Sequence, residues 1–244
     1  MLHTSSRSPK FENRYDAGAQ LAVKLADYKN QGVIVLAIPN GGLPVAVAVA
    51  LALDADLDIV VARKLPIPLL PEGGFGAVAD DGTTIFNEDV LKVINLNESQ
   101  INYQVNKVRN DIRQRSLIYR NNRALSIVKG KVAIIVDDGL ASGYTMMAAV
   151  ESVKRRQPSR IIVAIPAASE KAVKQVEKSA NKVITVETAN VPKFYIADYF
   201  RYWNELSDAE GVRCFKDWQS RRHQTEVNIP SPRQPEQKHR RGTF

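Results

Sequence analysis

Val132-Ala-Ile-Ile-Val-Asp137-Asp138-Gly-Leu-Ala-Ser-Gly143-Tyr-Thr145 is the stretch that decides the fold of this chain. Its five consecutive apolar residues, Val132 to Val136, are typical of a strand covered on both faces of a parallel sheet. Met147, Val150 and Val153 then recur at helical spacing. The two acids and the small-residue loop are therefore predicted to lie between a strand's carboxyl end and a helix, where open α/β sheets bind ligands.

The acids and the loop offer opposite hydrogen-bonding groups. A loop at a helix N-terminus presents N–H and hydroxyl donors, which suit a phosphate, whereas ionised Asp137 and Asp138 present acceptors, which suit a vicinal diol. One sugar 5-phosphate satisfies both, so the segment predicts a ribose-phosphate site. A plain Asp-Gly turn and the acidic strand end of a receiver domain are the alternatives. The predicted phosphate-binding residues are Ala141, Ser142, Gly143, Tyr144 and Thr145.

This segment resembles the ribose-phosphate-binding motif of the type I phosphoribosyltransferases. The resemblance implies that Asp137 and Asp138 hold the ribose diol of 5-phosphoribosyl 1-pyrophosphate (PRPP), while the loop after them wraps the 5-phosphate. It also implies Mg²⁺ as the cofactor, bridging diol and pyrophosphate oxygens, with the two acids acting on the ion through water. A P-loop NTPase, which also keeps acids at a strand end, is excluded because its Gly-x-x-x-x-Gly-Lys-Ser/Thr motif is absent from the sequence.

A second strand-to-helix junction lies upstream, where the apolar run from Gly32 to Ile38 enters Pro39-Asn40-Gly41-Gly42-Leu43-Pro44. Glycine pairs let a ligand approach the backbone closely, although a simple turn with Pro44 in the first helical position is the alternative. The junction is similar to the Pro-Arg-Gly-Gly-x-Pro-Val pyrophosphate loop of one phosphoribosyltransferase subgroup. The resemblance implies that Asn40, Gly41 and Gly42 bind pyrophosphate. Because Asn40 replaces a charged Arg, neutralisation falls more heavily on Mg²⁺ and on other basic residues.

A basic pair, Arg63 and Lys64, follows the third predicted strand, Leu57 to Val61. The prolines and glycines of residues 65–83 argue against a long regular element and favour a mobile flap. In the family, a basic strand end and the loop after it cover the pyrophosphate. Arg63 and Lys64 are therefore the predicted catalytic residues, which stabilise the charge of the departing group. Ordinary solvated charges at a strand end are the alternative.

The spacing of these elements predicts an α/β fold, with a Rossmann-like parallel sheet of about five strands and helices on both faces. Two further strands are predicted at 160–166 and 182–187, and an amphipathic helix with a basic face lies within 101–123. Residues 1–10 are predicted to be a polar N-terminal segment and 11–218 the phosphoribosyltransferase-like domain, with hood elements around 190–212. Residues 219–244 are predicted to be a disordered basic tail.

Composition excludes several kinds of chemistry. The three histidines, His3, His223 and His239, all lie in terminal segments, which disfavours Ser-His-Asp and Cys-His nucleophiles and histidine-bound zinc. A single Cys214 permits no internal disulfide, and no stretch approaches the length of a membrane span or a secretory signal. A cytoplasmic protein with no membrane association is predicted. The net charge of +8 is concentrated partly in the tail, where weak nucleic-acid binding is a further prediction.

The predicted function is phosphoribosyl transfer from PRPP to a nitrogen nucleophile, a nucleobase or related acceptor, with release of pyrophosphate. Ala141 stands where the hypoxanthine-guanine branch of the family has an acid, which makes a 6-oxopurine acceptor less favoured. Phe194 and Tyr195, in the aromatic-rich hood, either pack as a cap or stack on the acceptor. The alternatives are a non-catalytic PRPP-binding regulator that contacts nucleic acid and a ribose-phosphate hydrolase. The resemblance also implies a homo-oligomer.

Overall fold

Strands and helices alternate along most of the chain. The structure, a computed structural model, describes residues 8–120 and 123–227, without the side chains of Pro71 and residues 223–227. The strands are β1 (Val33–Ala37), β2 (Asp56–Ile59), β3 (Ala62–Ile67), β4 (Leu70–Ala79), β5 (Thr84–Phe86), β6 (Val132–Val136), β7 (Arg160–Ser169) and β8 (Lys182–Ala189). The helices are α1 (Arg14–Lys24), α2 (Gly42–Leu53), α3 (Glu88–Leu91), α4 (Glu98–Arg120), α5 (Tyr144–Lys154), α6 (Glu170–Val176) and α7 (Asp208–Val227).

Five parallel strands form the main sheet, in the order β2-β1-β6-β7-β8. From β1 the chain continues to β2 on one side, and from β6 it continues to β7 on the other side. The strand order therefore reverses between β1 and β6, which is where open α/β sheets bind their ligands. The predicted five-stranded parallel sheet is confirmed.

Helices cover both faces of this sheet. Val35 of β1 packs in a core cluster with α2, α4 and α7, whereas its neighbours Ile34 and Leu36 pack in a second cluster with α5 and α6. Successive strand residues point to opposite faces, so a strand buried on both faces must be apolar throughout. This requirement explains the continuous apolar runs that predicted β1 and β6.

The prediction of a flap without long regular structure in residues 65–83 was wrong. β3, β4 and β5 form a separate antiparallel sheet. Pro66 lies at a register irregularity of the β3–β4 pair, where a missing N–H costs little, and Gly74 pairs opposite it. A Cβ on Gly74 would lie 2.6 Å from Cγ of Lys64, so the glycine makes room for that side chain. Phe75, Ala77 and Val78 of β4 are buried in the core.

The predicted boundary at residue 218 was also wrong, because α7 continues to Val227. Phe215 and Trp218 anchor this helix in the core, and Arg222 forms ion pairs with Asp54 and Asp56 at 3.2 and 3.7 Å. The composition of 219–227 suggested disorder, but the preceding aromatic anchors allow the helix to continue. The rest of the predicted tail, 228–244, and most of the predicted N-terminal segment, 1–7, lie outside the described residues. Within the described ranges, no helix has the length and apolarity needed to cross a membrane.

Candidate active site

Two loops meet at the point where the strand order reverses. Ala37 and Val136, the last residues of β1 and β6, are neighbours in the sheet, and the N–H of Ile38 donates to the carbonyl of Val136 at 2.9 Å. The glycine loop that follows β1 therefore packs directly on the acids that follow β6. A Cβ on Gly42 would lie 2.7 Å from the Val136 carbonyl oxygen, and one on Gly41 would overlap the Asp138 carboxylate. Only glycine permits this contact at both positions.

Asp137 and Asp138 lie side by side at the end of β6. Asp138 is buried, and its Oδ2 accepts a hydrogen bond from Nε of Arg14 at 2.8 Å. The backbone N–H of Asp138 donates to Oδ1 of Asp137, also at 2.8 Å. Burial raises the pKa of the Asp137 carboxyl well above its usual range, and the charge of Asp138 raises it further. Burial also raises the pKa of Asp138, although Arg14 opposes the rise.

The loop after the acids presents its backbone at the start of α5. Ala141 and Ser142 are exposed, and Gly143 caps the helix with a left-handed φ of 87°. A hydrogen bond from Oγ of Ser169 to the Ala141 carbonyl, at 2.8 Å, ties the loop to β7. Tyr144 and Thr145 form the first turn of α5. The structure thus brings together the acids and the predicted phosphate loop, whose exposed residues lie at a helix N-terminus that suits an anion.

Asn40 is half-buried, and both ends of its amide form hydrogen bonds within the protein. Its Nδ2 donates to the carbonyl of Leu206 at 2.7 Å, and its Oδ1 accepts from the hydroxyl of Tyr119 at 2.8 Å. The peptide bond between Pro39 and Asn40 is cis. The side chain therefore anchors the glycine loop to α4 and to the segment before α7. Both ends of the amide are thus occupied within the protein, as is the Gly42 N–H, which donates to the Ile38 carbonyl at 3.1 Å.

Replacing Tyr119 by phenylalanine tests this anchor. Tyr119 is buried, and its hydroxyl also packs against Gly211 at the start of α7. The variant leaves the Asn40 oxygen without its donor, which costs about 0.5–1.5 kcal/mol of stability. If the transition state loses the same free energy of stabilisation, kcat/KM falls about two- to tenfold. Tyr103→Phe, at an exposed position of the same helix, is the matched control and should change neither thermal stability nor kcat/KM.

Arg63 and Lys64 lie on β3, in the antiparallel sheet of β3, β4 and β5. Nη1 of Arg63 lies 3.9 Å from Oδ2 of Asp111 on α4, and burial together with the nearby Arg115 lowers the pKa of Arg63. Nζ of Lys64 donates to the Glu72 carbonyl across the hairpin at 2.9 Å. These contacts join Arg63 to α4 and Lys64 to the neighbouring strand of the hairpin.

Aromatic residues of the predicted hood pack mainly on one another. Phe194 stacks on Tyr199 at a centroid distance of 4.9 Å, and Phe200 packs against Trp203 at 5.0 Å. Tyr195 is 44% exposed. Ile196 lies directly over Gly139, where a Cβ would come within 2.6 Å of its Cγ1. This segment therefore covers the loop that follows the acids, as a packed cap.

The sequence analysis did not identify Arg14 as a residue near the site, although the pattern of α1 contains a signal for it. Arg14 shares one face of α1 with Ala17, Gly18, Leu21 and Ala22, all of them buried. A single arginine on an otherwise apolar helix face requires a buried partner, because isolated charges are rarely buried. That partner is Asp138.

The acid pair is suited to Mg²⁺ by its chemistry. Adjacent carboxylates with raised pKa values present hard oxygen ligands, and a cation nearby relieves their mutual repulsion. In the described part of the chain, however, no three His, Cys, Asp or Glu side chains cluster in a way that could hold a metal ion. The donors present therefore fit an ion that is also bound by ligand oxygens and water.

The fold is that of a Rossmann-like α/β protein, in which a glycine loop and a pair of acids meet at the reversal of strand order. Residues 79–197 match the phosphoribosyl transferase domain family. The chain is 34% identical over 202 residues to the protein named "Putative phosphoribosyl transferase Rv0571c" of Mycobacterium tuberculosis H37Rv, and equally similar to its counterpart in strain CDC 1551. These matches cover 83% of this chain and 45% of each relative, so the chain spans about half their length.

A solved structure is similar to this chain over nearly the whole length of the solved protein. The crystal structure of TT1426 from Thermus thermophilus is 32% identical in sequence, with a TM-score of 0.70 over 86% of this chain and 99% of that one. The chain contains a phosphoribosyltransferase domain. The resemblance stated from the sequence is confirmed.

Proposed function

We propose that this protein binds PRPP and transfers its ribose 5-phosphate to a nitrogen nucleophile, with release of pyrophosphate. The observation that carries the proposal is the direct packing of Gly41 and Gly42 on Asp137 and Asp138. This contact brings a glycine loop suited to pyrophosphate beside acids suited to the ribose diol. The two groups are adjacent in PRPP, so one molecule would span both loops.

Each loop has a separate task in this proposal. Asp137 and Asp138 accept hydrogen bonds from the ribose hydroxyls, and the backbone of residues 141–145 holds the 5-phosphate. The loop of Asn40, Gly41 and Gly42 faces the pyrophosphate with its backbone. The Gly42 N–H is already used inside the protein, since it donates to the Ile38 carbonyl at 3.1 Å. Because the transition state resembles an oxocarbenium ion, most of the catalytic effect would come from orientation and from charges already in place.

Mg²⁺, when bound, would neutralise the pyrophosphate and so make it a better leaving group. Asp137 and Asp138 would hold this ion through water, since their oxygens also accept from the diol. Arg63 and Lys64 would add positive charge from the hairpin. For Arg63, this role requires release of its long contact with Asp111, which at 3.9 Å and in partly exposed surroundings is weak.

The acceptor is proposed to be a nucleobase or a related nitrogen compound other than a 6-oxopurine, because Ala141 carries no acid for the purine ring. A homo-oligomer, a cytoplasmic location and weak nucleic-acid binding by the tail stay predictions. The tail residues that would contact nucleic acid lie mostly in 228–244, outside the described residues.

The experiment that tests the proposal measures Mg²⁺-dependent pyrophosphate release from PRPP across a panel of nucleobases, together with PRPP binding by calorimetry. We expect release with at least one base, lost in Asp137→Asn/Asp138→Asn and retained in the control Asp89→Asn, whose side chain is 95% exposed. Release without any base would identify a hydrolase. Binding without release across the panel would favour the regulator, and failure of the wild type to bind PRPP would overturn the proposal.

A further inference from the structure

Arg14 places a positive charge at a position where both the helix dipole and burial disfavour one. It is the first residue of α1, where the positive end of the helix dipole disfavours a cation, and it is only 6% exposed. The helix start is fixed independently, because the Asn13 side chain accepts hydrogen bonds from the N–H groups of Tyr15 and Asp16. The charge of Arg14 must therefore be explained by its contacts beyond the helix.

Three contacts hold the Arg14 guanidinium at once. Its Nε donates to Oδ2 of Asp138 at 2.8 Å, and its Nη1 donates to the carbonyl of Asn204 at 2.9 Å. Its central carbon lies over the ring of Trp203, 3.9 Å from the centroid. A planar fork can make all three contacts together, whereas the single ammonium group of a lysine cannot.

These contacts connect the acid pair to the cap segment, defined here as residues 196–204. The cap segment is also joined to the chain just before α1, since Arg201 N–H donates to the carbonyl of Phe11 at 2.8 Å and Tyr202 N–H to that of Glu12 at 2.9 Å. The start of α1 and the cap segment therefore form one unit. Arg14 is the side chain through which this unit contacts Asp138.

The Asp138 carboxylate is consequently held from two sides. Gly41 packs against it from the glycine loop, and Arg14 pairs with Oδ2 from α1. Little rotation of the carboxylate is possible between these two contacts. The guanidinium also offsets the negative charge of two adjacent buried carboxylates, which would otherwise repel each other.

We infer that Arg14 is a positioning residue, which is held by the cap segment and orients Asp138 toward the ribose diol. The inference rests on the proposed function, because it assigns the acids to the diol. Arg14 itself does not contact the substrate. Its loss should weaken recognition of the sugar hydroxyls in particular, beyond any general loss of stability.

The test compares Arg14→Gln and Arg14→Lys with the wild type. Arg201→Gln is the matched control, because Arg201 lies in the cap segment but its side chain is 62% exposed and pairs with Glu12, at 3.2 Å. The readouts are thermal stability, the dissociation constant of PRPP, and the ratio of affinities for ribose 5-phosphate and 2-deoxyribose 5-phosphate. That ratio reports the diol contact and is insensitive to a uniform loss of folded protein.

We expect the wild type to prefer ribose 5-phosphate and Arg14→Gln to lose most of this preference, with PRPP affinity about tenfold weaker or more, as expected for a lost charged contact. Arg14→Lys should be intermediate, and Arg201→Gln should match the wild type. If Arg14→Gln does not fold, the test rests on Arg14→Lys, whose ratio of affinities for the two sugar phosphates is compared with that of the wild type. Unchanged PRPP affinity and preference in a folded Arg14 variant would overturn the inference alone. Failure of the wild type to bind PRPP and ribose 5-phosphate would overturn the proposed function as well.

Discussion

Gly41→Ala is expected to lower kcat/KM for pyrophosphate release about 100-fold, although it adds only one methyl group. The new Cβ would overlap Oδ2 of Asp138 and lie 2.6 Å from its Cγ. Asp138 cannot move aside freely, because Nε of Arg14 holds the same oxygen at 2.8 Å. Either the glycine loop or the acid must shift, and a misplacement of about 1 Å in an active site can cost ~100-fold in rate.

The measurement for Gly41→Ala is kcat/KM for PRPP, with PRPP affinity determined separately by calorimetry. Gly32→Ala is the matched control, since Gly32 also precedes a buried segment but its Cβ would meet nothing within 4 Å. Its φ of 63° makes alanine unfavourable there, so a loss of about 1 kcal/mol of stability with unchanged PRPP affinity is expected. Wild-type PRPP affinity in Gly41→Ala would show that the contact between the two loops is not required.

Asp137→Asn is expected to lower activity and raise thermal stability at neutral pH. Activity should fall about 10- to 100-fold, the effect of losing a hydrogen bond to a charged group. Stability should rise because the folded protein raises the pKa of this carboxyl, through burial first and the charge of Asp138 second. The ionised form is therefore disfavoured by folding, and the amide removes that penalty. Stabilising substitutions at functional sites typically contribute about 0.5–2 kcal/mol.

The direction of the pH dependence follows from the raised pKa. The folded protein favours the protonated form of the Asp137 carboxyl. Its contribution to the free energy of unfolding is therefore fully present below the ordinary aspartate pKa, and it is lost as pH rises through the raised pKa of the folded state. The wild-type melting temperature should therefore carry a component that declines as pH rises above the ordinary aspartate range. This component should be smaller in Asp137→Asn, where the raised pKa of Asp138 still contributes, and unchanged in Asp89→Asn. A lower melting temperature for Asp137→Asn at neutral pH would contradict the prediction.

These two substitutions separate the roles of the two loops. Gly41→Ala disturbs the geometry while leaving both carboxylates in place, whereas Asp137→Asn removes one charge while leaving the backbone contact. If both variants lose PRPP binding but only Asp137→Asn becomes more stable, the acid pair serves ligand binding and lowers the stability of the fold. That combination is common at functional sites, where buried like charges are arranged for a ligand.

The elements that the sequence predicted well are those with a strong local pattern. β1 and β6 are runs of five buried apolar residues, and α4 carries Val105, Val108 and Ile112 at helical spacing on its buried face. The loops at the ends of β1 and β6 are marked by glycines and acids within a few residues. Such signals depend on neighbours in the chain, so they can be read without knowing what packs against them.

The elements that were mispredicted depend on distant partners. The β3–β4 hairpin contains prolines and glycines that locally suggest a loop, yet cross-strand pairing and the burial of Phe75 stabilise it. Helix α7 passes the point where composition becomes polar, because Phe215 and Trp218 hold it in the core. In both cases tertiary packing outweighs local propensity.

The sequence by itself determined the sheet and the two loops at its carboxyl edge, and it contains the residues that we propose bind a phosphorylated ribose. Only the tertiary structure decided that Gly41 packs on Asp138, that Arg14 pairs with an acid 124 positions away, and that Asn40 anchors its loop. Hydrophobic periodicity and turn residues act between neighbours in the chain, so they are visible in the sequence. Contacts between remote side chains depend on strand register and on how helices pack across the sheet, which are set only when the whole core assembles.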